Sequence, residues 1–88
     1  MNDETRMTND EWQNETIDGE ERLVKEFKFS DFRQALAFAN KVGELAEANN
    51  HHPRLHVTWG KVTVEWWSHD AHGVTRRDKE MAAKTDQI

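Results

Sequence analysis

Residues 30–53, SDFRQALAFANKVGELAEANNHHP, decide how this chain is read. Phe32, Ala35, Leu36, Phe38, Ala39, Val42, Leu45 and Ala46 recur near the helical period and form one broad apolar stripe. Arg33, Gln34, Asn40, Lys41, Glu44 and Glu47 fall mainly on the other side. The spacing predicts a helix over 31–48. Ser30 is expected to cap it, and Asp31 in the first turn suits the positive helix end. Asn49-Asn50 reads as its stop, because Asn tolerates the left-handed conformation, and Pro53 prevents continuation.

A long amphipathic helix must bury its stripe against something, and the flanks supply strands. Upstream, residues 11–29 read as a hairpin turning at Asp18-Gly19. Leu23, Lys25, Phe27 and Phe29 alternate with Arg22, Val24, Glu26 and Lys28. Lys25 breaks the more apolar face and is expected at a sheet edge or a pocket rim. Downstream, Leu55, Val57 and Trp59 alternate over 54–59. Val62, Val64 and Trp66 alternate over 61–68, with Gly60 at the turn between the two strands. A short helix follows from about Arg76 to Lys84. Thr75 is its expected N-cap, Asp78 stands where a capping box places its acid, and Met81 and Ala82 face inward. The order is ββαββα. It predicts an α+β domain, a four-stranded antiparallel sheet with both helices on one face. No solenoid repeat is present. Residues 1–10 are polar without an apolar period and read as a flexible tail, leaving 11–88 as a single domain. Thr8 and Glu11 match a short capping box, but nothing apolar behind them would sustain a helix.

Composition narrows the function. The chain has 88 residues, 17 acidic and 12 basic, for a net charge of −5. That argues against nucleic acid, since the short basic cluster Arg76, Arg77 and Lys79 has Asp78 inside it. There is no cysteine, so disulfides and thiolate metal sites are excluded. No apolar run approaches the roughly 18 residues that span a membrane. The first ten residues lack the apolar core of a signal peptide, so a cytoplasmic protein is expected. So small a core would gain from self-association, and a homodimer or homotetramer is expected.

The candidate chemistry lies in histidine. His51 and His52 follow the long helix, and His69 follows the last strand, all at element ends where a scaffold can position reactive groups. Imidazole exchanges protons near neutral pH. Around one small molecule, a protonated His can let hydroxide leave as water while a second takes a proton from a neighbouring nitrogen. Glu47, one turn before His51, is expected to orient that ring. His56 reads as an outward strand residue and His72 as a turn residue beside Gly73. Trp59 and Trp66 read as core, and Asp78 is accounted for as a cap. Zinc on His51, His52 and His69 is the rival reading. Against it, H-E-x-x-H is absent and adjacent histidines aim their rings apart. There is no G-x-S-x-G elbow and no glycine-rich phosphate loop.

The run Glu47-x3-His51-His52-Pro53-x5-Trp59-x9-His69-x8-Asp78 resembles the signature of the pterin-4a-carbinolamine dehydratase family. Phe27-Lys28-Phe29-Ser30-Asp31-Phe32 and Ser68-His69-Asp70 with Gly73-Val74-Thr75 extend the likeness over about residues 12–85. The resemblance implies dehydration of 4a-hydroxytetrahydropterin to quinonoid dihydropterin, as in tetrahydrobiopterin recycling. Pterin would be the substrate, with no metal and no organic cofactor. It implies His51 and His69 as the acid/base pair, and His52 as a third site histidine that orients the pterin. Glu47 and Asp78 would be supporting carboxylates, with Pro53, Trp59, Ser68 and Asp70 contacting substrate. It also implies a second possibility, since some members act without catalysis as dimerisation cofactors of a transcription factor. Two departures stand out. The N-terminal helix usual in the family looks short or missing, and Ala71-His72 replaces a turn that is often glycine-rich.

Overall fold

A computed structural model describes residues 11–88. The expected tail at 1–10, with Thr8 of its capping pair, lies outside the described residues, as does most of the segment where a first helix was in question. Strands β1 (Gln13–Ile17) and β2 (Glu20–Lys28) form the first hairpin. Helix α1 (Phe32–Asn49) crosses to β3 (Arg54–Thr58), which turns into β4 (Lys61–Trp66). A 3-10 turn (His69–Ala71) and helix α2 (Arg76–Thr85) complete the chain. The sheet order is β1-β2-β4-β3, and every neighbouring pair is antiparallel. The last strand therefore sits between β2 and β3.

Register makes one face apolar. Leu23 pairs with Trp66 and Phe27 with Val62, and α1 and α2 cover that face with Ala35, Phe38, Val42, Ala46, Met81 and Ala82. Trp66, Phe27, Val42, Val62 and Val64 are fully buried, each stabilising the fold by about 1.5–3 kcal/mol. Trp66 also donates its Nε1–H to Thr85 Oγ1 at 3.1 Å, which ties the sheet centre to the end of α2. The capping box at Thr75 and Asp78 and the inward Met81 and Ala82 are as the sequence predicts.

Three local expectations are corrected. The cap of α1 is Asp31, not Ser30: its side chain accepts Gln34 N–H at 2.8 Å, and Ser30 Oγ donates instead to Gln34 Oε1. Lys25 is buried rather than set on an exposed edge or rim. It pairs with Val64 of β4 one residue past the end of the β1 pairing, and its side chain reaches inward to Asp86 at 2.8 Å, past the end of α2. Trp59 is not core but 73% exposed. The strand stops at Thr58 because Gly60 must turn with φ +72, its carbonyl accepting Phe29 N–H at 2.8 Å. Among the described residues no helix is long and apolar enough to cross a membrane.

Candidate functional site

The end of α1 sets two histidines. Asn50 takes the left-handed conformation, φ 51, and turns the backbone back so that His51 N–H bonds Ala46 O at 3.2 Å. His51 swings in over the core. Its ring stacks on Trp66, with centroids 5.6 Å apart and planes at 17°. Its Nε2 lies 2.6 Å from Asp78 Oδ1.

Asp78 is fully buried, and its other oxygen accepts Ser68 Oγ–H at 2.7 Å, Thr75 N–H at 2.9 Å and Thr75 Oγ–H at 3.1 Å. Burial alone would raise its pKa. The His51 bond, then the Thr75 N–H and the Ser68 and Thr75 hydroxyls, outweigh that and hold the carboxyl below its ordinary 3.8. An ionised carboxylate only accepts, so His51 Nε2 carries a hydrogen and Nδ1 is left for other work. The cap of α2 and the orienting partner of His51 are thus one residue.

Glu47 does not orient His51, as the sequence suggested. The helix stops before His51, and Glu47 Oε2 lies 2.6 Å from Nε2 of the exposed His52 instead. His69 stands on the loop after β4. Ser68 and Gly73 exchange backbone bonds of 2.9 and 3.3 Å across this loop, which encloses the 3-10 turn. His69 is strongly exposed, and its Nδ1 lies 3.6 Å from Glu20 Oε1. His72 holds φ 58 and turns outward, 3.2 Å from Glu20 Oε2. His56 lies on the outward sheet face, 3.0 Å from Glu65.

His51, His52 and His69 line one open hollow of about 400 Å³, together with Ser68, Asp70 and Trp67. The ends of α1 and β4 do meet there. Pro53 and Trp59 are not part of it. Pro53 lines a separate apolar groove of about 840 Å³ between α1 and β3, and Trp59 sits at the opposite end of the β3–β4 hairpin. The groove is larger, but its only titratable lining groups are Glu44, Glu47 and His52. The chemistry converges in the smaller hollow. Among the described residues no three His, Asp or Glu side chains converge to hold a metal ion.

Three residues at the hollow escaped sequence reasoning. Arg77 Nη2 donates to the carbonyls of Asn49 and Asn50 at 2.8 Å each, pinning the His51-His52 segment. Trp67 lines the hollow with Arg22 stacked 3.7 Å from its ring centroid. The alternation that buries Trp66 was the available signal for Trp67. Glu20 gave no signal, because only strand pairing brings it close.

The model of the family "Pterin 4 alpha carbinolamine dehydratase" matches residues 2–88. A protein of Chlorobium limicola is 55% identical over 83 residues, 94% of this chain and 74% of its own length. One of Chlorobium luteolum is 54% identical over 78 residues, 89% of this chain and 68% of its own length. The names of both assign them provisionally as pterin-4-alpha-carbinolamine dehydratases. Among solved structures, a transcriptional coactivator/pterin dehydratase from Brucella melitensis superposes with TM-score 0.76 at 36% identity, covering 89% of this chain and 81% of that one. A pterin dehydratase-like protein identified as a RuBisCO assembly factor in the alpha-carboxysome shares the fold, with TM-score 0.73 at 20% identity, covering 88% and 87%. With most of its length matched by the family's model and by relatives more than half identical to it, the chain belongs to the pterin 4 alpha carbinolamine dehydratase family.

Proposed function

We propose that the protein dehydrates a 4a-hydroxytetrahydropterin to the quinonoid dihydropterin. The observation that carries this reading is the gathering of His51, His52 and His69 in one hollow, with His51 clamped by buried, ionised Asp78. The hollow falls within the roughly 300–1,000 Å³ typical of small-molecule sites. In the reaction one imidazole takes the proton from the ring nitrogen beside the hydroxylated carbon. The lone pair left behind forms the C=N bond as the C–O bond breaks. A second, protonated imidazole gives its proton to the departing hydroxyl, which leaves as water. His51 and His69 are read as this pair, and His52, steadied by Glu47, as the residue that orients the pterin. Ser68 and Asp70 border the same hollow. No metal or organic cofactor enters the scheme. The edge strand β3, beside the apolar groove, supports self-association as a homodimer or homotetramer.

A stopped-flow assay of 4a-hydroxytetrahydropterin breakdown tests the reading. Wild type is expected to accelerate it, and His51→Ala or His69→Ala to lower turnover by about 10²–10⁴. Full turnover in both variants, or none in wild type, would overturn it. The second reading is a non-enzymatic pterin-binding or protein-interaction module. It is favoured by the shared fold of the RuBisCO assembly factor and by the groove along Leu36, Leu55 and Val57. Pterin binding without turnover would select it.

A further inference from the structure

Glu20 plays no part in the scheme above, yet it meets the hollow's rim from behind. It opens β2 directly after the Asp18-Gly19 turn, and its side chain is largely buried, 15% exposed. Oε1 accepts Trp67 Nε1–H at 3.0 Å and lies 3.6 Å from His69 Nδ1. Oε2 lies 3.2 Å from His72 Nδ1. Trp67 is held a second time by the guanidinium of Arg22, also on β2, which is itself bonded to Glu65 at 2.7 Å. Two β2 residues therefore fix the indole whose surface lines the hollow.

We propose that Glu20 is a positioning residue for His69: its carboxylate selects the Nδ1–H tautomer, leaving Nε2 to exchange protons, and holds that ring in register with the Trp67 wall. Its catalytic meaning rests on the dehydratase reading, while the tautomer rests on geometry alone. At 3.6 Å the contact is longer than a hydrogen bond, so in the free protein the selection acts through charge and dipole: a neutral ring turns its Nδ1–H, not its lone pair, toward the carboxylate. Such contacts commonly tighten when substrate binds. Burial alone would raise the pKa of Glu20. The His72 bond, the charge of His69 and the Trp67 N–H outweigh it and keep the group ionised. Asp78 does the same for His51 at the opposite ring nitrogen. Each member of the acid/base pair thus has its own carboxylate, one from the α2 cap and one from the first hairpin.

Glu20→Gln tests this in the full chain. The amide keeps an acceptor for Trp67 and removes the charge. The readout is the neutral-ring tautomer of each histidine, from nitrogen-15 chemical shifts, beside steady-state kinetics. Wild-type His69 is expected as the Nδ1–H form, and in Glu20→Gln the Nε2–H form should become at least equally populated. His51, held by Asp78, should not change. kcat is expected to fall about tenfold or more with KM nearly unchanged, a part of what a whole acid–base group supplies. A wild-type His69 in the Nε2–H form overturns the proposal without any variant, which covers the case where Glu20→Gln does not fold. The same tautomer in both proteins overturns it too, and a shifted tautomer with unchanged kcat overturns its catalytic meaning. Absence of turnover in wild type counts against the dehydratase reading alone, because the tautomers are read without substrate.

Discussion

At Asp78 one side chain meets four hydrogen bonds, from His51, Ser68 and two from Thr75. Removing it leaves buried donors without partners as well as an uncapped helix. Asp78→Ala is expected to cost about 2–4 kcal/mol, about 1 from the cap and the rest from the orphaned donors. Thermal or urea unfolding would measure it. Asp78→Asn is the gentler change. Its amide nitrogen cannot accept the His51 hydrogen, so the ring must adopt the other tautomer, and turnover should fall by about 10²-fold or more. Retained turnover would separate Asp78 from the chemistry. The sign of the pH effect follows from the lowered pKa. The folded protein holds the proton less tightly than the unfolded chain, so Asp78 contributes its full stabilisation above pH 3.8 and loses it as pH falls through the still lower folded value. Urea melts across the acid range should show a shallower decline in Asp78→Asn than in wild type.

At the scale of elements, the site depends on how α1 and the β3–β4 hairpin turn. Asn50 at φ 51 suits the left-handed cap because its short side chain tolerates it. Asn50→Val is expected to cost about 1–2 kcal/mol, with the change felt at His51 and His52. Asn50→Gly should be close to neutral in stability, and paired melting curves would tell them apart. Gly60 is more constrained. It has φ +72, and an added Cβ would stand 2.9 Å from the Phe29 carbonyl oxygen. Gly60→Ala is therefore expected to destabilise the fold by more than the roughly 1 kcal/mol that a strain-free glycine replacement gains, and so to lower the melting temperature. If the melting temperature holds, the hairpin must be able to shift away from Phe29.

For the whole molecule, β4 is the organising strand. It is paired on both sides, covered by both helices, and followed directly by the loop that carries His69. Trp66 forms the core beneath His51 and is bonded to Thr85 at the end of α2. Thr85→Val keeps the shape but strands the indole N–H, at an expected cost of about 1–3 kcal/mol in global unfolding. A change below about 0.5 kcal/mol would mean that the indole finds another acceptor.

Much of this was legible in the residues. The stripe from Phe32 to Ala46, the Asn49-Asn50 stop, the Asp18-Gly19 turn and the Thr75–Asp78 box are local signals, carried by periods of two and 3.6 and by turn chemistry. They specify the elements and their order. The signature histidines could likewise be picked out by spacing and by family likeness. What the sequence left open was the pairing of groups distant along the chain. Glu47 looked like the partner of His51 because it lies four residues away. Asp78, 27 residues away, holds that ring, since packing α2 against β4 brings its first turn beneath the end of α1. Trp59 looked buried by alternation, yet the turn at Gly60 ejects it. Glu20 carried no signal because its closeness to Trp67 and His69 comes from the β2–β4 pairing. Local periodicity reports which face a residue prefers. Which carboxylate meets which imidazole is decided only when the sheet order β1-β2-β4-β3 closes and side chains 27 to 52 residues apart in sequence come within hydrogen-bonding distance.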